Sequence, residues 1–191
     1  PVHNASVGLT LPNMPNLQNL ASTGLQFNHA YAQPICSPTR ATILTGRHPF
    51  RHGVGDPNTN NTLSASELTL PEIFTLEDSS YALATFGKWH LGGGSTGPYT
   101  RGGWNYFKGM LQGGVPNSGS YVDWTKTEVI NGVASTTNNY SNYTTTDQID
   151  DAVSWINSNA LGSPWFCWLA LNAPHTPFHE PPANLAPLGG Y

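Results

Sequence analysis

Reactive residue types concentrate in three short stretches. The first, ICSPTRATILTGRHPFRHG over residues 35–53, sets Cys36 ahead of Pro38 and follows it with Arg40, Arg47, His48, Arg51 and His52, in a chain only 9% charged. The second, GKWHLG over 87–92, carries Lys88 and His90, and the third, NAPHTPFHEPP over 172–182, carries His175 and His179. A thiol at a helix start beside guanidinium groups suits an oxyanion such as phosphate, sulfate or carboxylate, because backbone N–H groups and guanidinium forks both direct positive charge at it. The plainer reading is a buried, inert cysteine. Neutral imidazole exchanges a proton near pH 7, which makes His90 and His175 candidate acid–base groups. His179 follows His175 at the spacing of a helical metal pair, but Pro174 and Pro177 argue against a helix there and so against zinc.

Those stretches need a scaffold that brings them together. PNLQNLAS over 15–22 reads as a short helix started by Pro15, with Gly24 placed to stop it. LQFNHAY over 25–31 alternates and predicts a strand, and SPTRATILTG predicts a helix begun at Ser37, with Gly46 beyond its end. Cys36 then lies at a helix N-terminus. LPEIFTLEDS over 70–79 is a further helix and YALATFG over 81–87 a buried strand. From Leu91 to Thr145 the composition predicts loop and surface excursion, with a hairpin in YVDWTKTEVINGVAS turned at Asn131-Gly132. TDQIDDAVSWINSN predicts a helix capped by Thr146, with Asp150 and Asp151 capping or solvating it, and it runs into the strand PWFCWLAL. Helices alternating with apolar strands argue for an α/β fold, a mainly parallel sheet flanked by helices. Each reactive stretch follows a predicted strand, and ligands in open α/β sheets collect outside the strands' carboxyl ends, so the three stretches are expected to converge.

Composition narrows the function. The 191 residues allow one domain with a genuine core, and 20 glycines with 16 prolines predict long loops. A net charge of −4 with no basic stripe argues against nucleic acid, and no apolar run is long enough to span a membrane. Sequons begin at Asn4, Asn60, Asn139 and Asn142 and favour export weakly, because so Asn- and Thr-rich a chain makes them by chance. Cys167 sits in an apolar strand and is not expected to bridge Cys36. Cys36 and Arg40 stand too close together for a thiol-phosphatase loop, and Arg47 too far away.

CSPTRATILTGR resembles the sulfatase signature, Cys-x-Pro-Ser/Thr-Arg followed by Leu-Thr-Gly-Arg, matching at Cys36, Pro38, Thr39, Arg40, Leu44, Thr45, Gly46 and Arg47. GKWHLG resembles that family's second signature and APHTP the segment of a further active-site histidine, in the family's order. The resemblance implies an alkaline-phosphatase-like fold and hydrolysis of sulfate esters. It implies that Cys36 is converted by a formylglycine-generating machinery to an aldehyde. One hydroxyl of the aldehyde's hydrate attacks sulfur, and loss of a proton from the other expels sulfate. It further implies that Arg40 holds residue 36, that Lys88 contacts substrate oxygen, that His90 is the partner of residue 36, and that His175 serves the leaving oxygen. The plainer reading of both cations is surface solvation. Arg47 meets carboxylates or packs structurally, Trp89 and Trp104 line a cleft or fill the core, and His48, Arg51 and His52 read as a loop beside the site.

Sulfatases also use a divalent cation, usually calcium, held by aspartates near the chain start, by an Asp-Asn pair after a later strand, and by residue 36 itself as formylglycine. Neither partner set is visible, and Asp56, Glu72, Asp123, Asp150 and Asp151 belong to no metal motif. The expectation is that residues 1–191 are part of a single catalytic domain, lacking the N-terminal metal-binding strand and the C-terminal portion. The expected partner is a sulfated small molecule or glycan, and the expected location is exported, with extracellular favoured. Two other readings stay open: a non-catalytic sulfatase-like binding protein, and a hydrolase using Cys36 as a thiol.

Overall fold

The computed structural model describes residues 14–115, 120–159 and 162–185. It divides into two units, Pro1–Ala32 and Gln33–Tyr191. In the first, helix α1 (Pro15–Thr23) starts on its proline and ends where the Gly24 N–H donates to the Leu20 carbonyl at 2.9 Å. The strand expected over 25–31 does not form. Alternation only says which faces a strand would present; a strand exists by pairing, and no ladder partner lies in this unit among the described residues.

The second unit is built on a five-stranded mixed sheet of order β4-β3-β2-β1-β5. Strand β1 (Ala82–Lys88) pairs in parallel with β2 (Tyr106–Met110) and with β5 (Trp165–Ala170). Strands β3 (Trp124–Ile130) and β4 (Val133–Tyr140) continue the sheet antiparallel from β2. The turn between them is the expected one, with Asn131 and Gly132 at φ 49° and 82°, the left-handed pair a tight hairpin demands. The expected loop region therefore contributes strands as well, and the parallel half of the sheet is the half that carries the reactive stretches.

β1 is buried on both faces, as a strand covered on both sides must be. Leu83 joins Leu44, Leu63, Trp104, Phe107 and Val129 on one side, with Phe166 and Trp168 packed against them. Ala84 and Phe86 point the other way, onto Ala152, Trp155 and Cys167. Trp89 and Trp104 are 1% and 0% exposed, which places both in the core, and Trp89 also lines the cavity that Cys36 and His90 face. Helix α2 (Cys36–Thr45) begins one residue before the expected Ser37 and ends at Gly46, whose φ of 66° is the left-handed stop and whose N–H donates to the Thr42 carbonyl at 2.9 Å. The tail of the first stretch is a short helix, α3 (Pro49–His52). The Val54 N–H donates to His52 Nδ1 at 3.1 Å, so the proton sits on Nε2, facing Thr42 Oγ1 at 3.2 Å. Helix α4 (Leu70–Glu77) sets Phe74 against Tyr81 and against Phe166 of β5, and α5 (Gly97–Thr100) follows the loop after β1.

Helix α6 (Thr144–Asn159) starts two residues earlier than expected. The Thr144 N–H and hydroxyl both donate to the Tyr121 carbonyl, at 2.7 and 2.9 Å. Asp151 does not merely cap or solvate this helix. It lies one turn after Asp147, and the two carboxylates hold the buried Lys126 ammonium of β3 at 2.6 Å each. Lys108 of β2 approaches Asp151 at 3.4 Å and Glu128 at 3.1 Å. Sequence could not show this, because the partners come from two strands and a helix. Burial pulls the Lys126 ammonium down, but its bonds to Asp147 and Asp151 outweigh burial and raise it overall. Lys126→Ala leaves Asp147 without its cation and Asp151 with Lys108 alone, and should cost about 3–5 kcal/mol, read as a fall in the urea midpoint at unchanged m. The folded-state shift is upward, so the ammonium's contribution is complete below the ordinary lysine value of about 10.4 and fades as pH rises beyond it. The difference between wild type and Lys126→Ala should therefore shrink above about pH 10.5.

Candidate functional site

Helix α2 brings its first residue, Cys36, to the carboxyl end of β1. The Cys36 Sγ lies 3.3 Å from His90 Nδ1. His90 follows the end of β1 and sits at φ 54°, a left-handed conformation that a non-glycine residue holds only when its surroundings enforce it. Those surroundings are visible. The His90 N–H donates to the Leu111 carbonyl at 3.0 Å, and its carbonyl accepts the buried Ser37 hydroxyl at 2.9 Å. Ser37 occupies the unspecified position of the Cys-x-Pro motif, and residue type alone gave no reason to single it out.

Arg40 lies on the same helix, with its guanidinium buried. Nε donates to the Trp89 carbonyl at 2.7 Å, Nη2 donates to the Lys88 carbonyl, and the plane lies over the Trp168 ring at 4.6 Å. Arg40 thus fastens the start of α2 to the end of β1. Burial pulls its guanidinium down to about 10, with the charge of Cys36 opposing, so it remains a cation at neutral pH. Lys88 is 6% exposed, and burial lowers its ammonium, again against Cys36. Burial, then the positive charges of Lys88 and Arg40, push His90 down to about 4, so the imidazole is neutral at pH 7 and able to accept a proton.

Cys36, His90 and His175 share one cavity of about 1280 Å³. Asn58, Gln112 and Gly113 also line it, while Lys88 and Arg40 sit behind the wall. His175 follows β5 on an exposed loop, and that loop is tied down at several points. The His175 N–H donates to the Asn172 carbonyl at 3.0 Å, and its own carbonyl accepts the Tyr121 hydroxyl at 2.7 Å. The buried Asn172 Oδ1 accepts Gln148 Nε2 of α6 at 2.7 Å. His179 stacks on Tyr121 at 3.9 Å between centroids and bonds the Tyr143 hydroxyl at 2.9 Å, serving as an aromatic brace. Tyr121, Tyr143 and Gln148 carry no motif, and only their placement reveals them; Asn172 opens the third reactive stretch.

The remaining candidates lie away from the cavity. Arg47 donates to both Glu67 carboxylate oxygens, at 2.8 and 2.7 Å, which makes it a carboxylate partner. His48 and Arg51 are exposed near Phe50. Asp56 accepts the Asn58 and Thr59 N–H groups and so shapes its own loop. Glu72 accepts the Thr69 N–H at the start of α4. Cys36 and Cys167 are free thiols, and burial raises that of Cys167 to about 11. Of the sequons, Asn60 and Asn142 have their side-chain amides engaged, with the Gly53 carbonyl at 2.6 Å and the Tyr140 hydroxyl at 2.9 Å. Asn139 is exposed, and Asn4 lies outside the described residues.

Among the described residues no group of three or more His, Cys, Asp or Glu is placed to hold a metal ion. The immediate neighbours of residue 36 are imidazole and buried cations, not the hard oxygen donors calcium takes. The described residues by themselves therefore do not compose a calcium site. No described helix is long and apolar enough to cross a membrane.

Comparison with known proteins bears on the same site. A family model described as Sulfatase matches residues 3–186. The chain is 38% identical over 99 residues to arylsulfatase A of Bos taurus, covering 49% of this chain and 19% of that protein. It is 30% identical over 179 residues to an ulvan-active sulfatase of Formosa agariphila, covering 90% of this chain and 33% of the relative. Among solved structures, Ps i-CgsB in complex with k-i-k-neocarrahexaose superposes with a TM-score of 0.64 at 26% identity, over 85% of this chain and 40% of that one. The chain thus spans between a fifth and two fifths of the length of these relatives.

Proposed function

Because the chain belongs to the sulfatase family and has its alkaline-phosphatase-like fold, we propose that it forms the nucleophile-bearing part of a sulfuric ester hydrolase of arylsulfatase type, cleaving R–O–SO₃⁻ with water to an alcohol or phenol and sulfate. The observation that carries this is the placement of Cys36 at a helix start, 3.3 Å from a neutral His90, in a cavity shared with His175 and backed by two buried cations. Converted to formylglycine, residue 36 would supply a hydrated aldehyde, an oxygen nucleophile for sulfur.

The other residues then divide the work. Lys88 and Arg40 set positive charge behind residue 36, where negative charge gathers on the transferring group, and burial makes that charge count for more than it would in water. His90, neutral and adjacent, takes the proton from residue 36, and His175, on the cavity wall, protonates the leaving oxygen. Arg40 also keeps residue 36 in register with Lys88 and His90 by gripping the main chain between them. Calcium belongs to this proposal only through ligands outside the described residues, and no step above passes through it. The arylsulfatase and the polysaccharide-directed relatives share the reacting group, so the proposed partner is a sulfated small molecule or glycan, met after export, with a formylglycine-generating machinery acting during biosynthesis.

The test is peptide mass spectrometry of the full-length protein across residue 36, paired with hydrolysis of 4-nitrophenyl sulfate and a monosulfated oligosaccharide. Conversion lowers the peptide mass by about 18 Da, and active protein with an unmodified Cys36 would sink the proposed chemistry. The same 3.3 Å contact supports a second reading, an unconverted Cys36–His90 thiolate pair. Iodoacetamide separates the two: it abolishes a thiol enzyme and spares an aldehyde one. Cys167, with its thiol held in the neutral form by burial, should alkylate slowly at pH 8 and serve as the internal control.

A further inference from the structure

The loop after β2 passes unusually close to both histidines. A Cβ built on Gly113 would stand 2.7 Å from His90 Nδ1 and 2.8 Å from its Nε2, inside any real contact distance, and would meet Cε1 more closely still. A Cβ on Gly114 would stand 2.8 Å from His175 Nδ1 and 3.0 Å from its Cε1. Neither glycine takes a left-handed backbone. Their lack of a side chain is therefore not required by the chain's own conformation, and the space it leaves is filled by the two imidazoles.

The loop cannot easily make room by swinging away. On one side the Trp89 and His90 N–H groups donate to the Met110 and Leu111 carbonyls, at 2.8 and 3.0 Å, extending the β1–β2 ladder up to the loop. On the other, Val115 is buried with Met110, Tyr121 and Trp124. Tyr121 in turn donates its hydroxyl to the His175 carbonyl. The backbone of residues 113–114 is held against the imidazoles from both ends.

We propose that Gly113 and Gly114 are positioning residues, whose bare backbone forms the wall that sets the His90 ring against residue 36 and the His175 ring toward the same cavity. The proposal rests on the sulfatase reading for its catalytic consequence but not for its geometry. A methyl group at 113 must displace the His90 ring from its 3.3 Å approach to residue 36. A misplacement of that kind near a reacting centre costs on the order of 10²-fold in rate.

The experiment uses the full-length protein with 4-nitrophenyl sulfate as probe, and variants Gly113→Ala, Gly114→Ala, His90→Ala and the double variant Gly113→Ala/His90→Ala. Gly113→Ala should lower kcat by about 10²-fold with KM within about threefold. Gly114→Ala should do so less, because His175 is exposed and has room to adjust. Thermal melts close a cycle that needs no activity: Gly113→Ala should lower Tm in wild type and leave it unchanged in the His90→Ala background, where the ring it strikes is gone. An equal Tm loss in both backgrounds overturns the proposal, as does a folded Gly113→Ala enzyme with wild-type kcat. Absence of any sulfate-ester hydrolysis by wild type would count against the functional reading alone, since the melting cycle still reports on the wall.

Discussion

Cys36→Ala should abolish sulfate-ester hydrolysis, lowering kcat by at least about 10⁴-fold, while the protein melts within a few degrees of wild type. The side chain is partly exposed at the first position of α2, and its polar contacts are with two other site residues, His90 and Lys88. Its removal therefore deletes chemistry with little cost to packing. His90→Ala should cost about 10²–10⁴-fold, the usual worth of a positioned acid–base group. The double variant should be no slower than Cys36→Ala alone, because a base with no nucleophile to serve has nothing left to contribute. Cys36→Ser is the sharper probe. It restores an oxygen at that position but has only one hydroxyl on its carbon, so the hydrate's route for releasing sulfate is closed. A single turnover that leaves sulfate on residue 36 is the expected result, read by mass spectrometry of the intact protein. Steady multiple turnover by the serine variant would show that the hydrate is not needed.

Arg40→Met should be the most destructive single change to the fold around the site. The guanidinium is 9% exposed and donates to two main-chain carbonyls, those of Lys88 and Trp89. Methionine fills the volume against Trp168 but leaves both carbonyls buried without a donor, each costing about 1–3 kcal/mol. Relief from burying a charge offsets part of that, leaving a net loss of about 2–4 kcal/mol. Arg40→Lys should recover little, because a single ammonium lacks the planar fork that reaches two carbonyls at once. Urea unfolding gives the stability change, and kcat should fall by more than the unfolded fraction explains, because Lys88 and His90 lose their tie to α2. Wild-type stability in Arg40→Met would show that the two carbonyl contacts are dispensable.

How far the residues announced this arrangement depends on whether a feature is local. The helix from Cys36, the strand through Phe86, the Asn131-Gly132 turn and the helix through Ala152 each carry their own signal of caps, periodicity or turn chemistry, and each forms. Strand β2 was missed because it is short, with Gly109 within it and Gly102 and Gly103 close before it, and it exists by pairing with β1. At 25–31 the opposite holds: alternation is present, but among the described residues a pairing partner is not. The convergence of Cys36, His90 and His175 on one cavity could be expected from sheet topology, although among the described residues no strand precedes Cys36. What no spacing could show is the support beneath them: Ser37 on the His90 carbonyl, Tyr121 on the His175 carbonyl, and Lys126 between two aspartates. Each joins residues distant in sequence through one side chain whose type is common.

The burial of the first turn of α2 also bears on timing. Ser37 is fully enclosed, Pro38 and Arg40 are buried, and Arg40 is committed to the main chain at the end of β1. Pro38 and Arg40, the letters of the motif nearest residue 36 that the fold encloses, are thus hidden once the sheet is assembled, although residue 36 itself still opens onto the cavity. An enzyme that identifies its target by reading those neighbours has to meet the chain while it is still extended, before β1 closes over them. Under the proposed function, the chemical identity of residue 36 would then be decided before folding, and refolding an unconverted chain with a converting enzyme present should leave Cys36 a thiol.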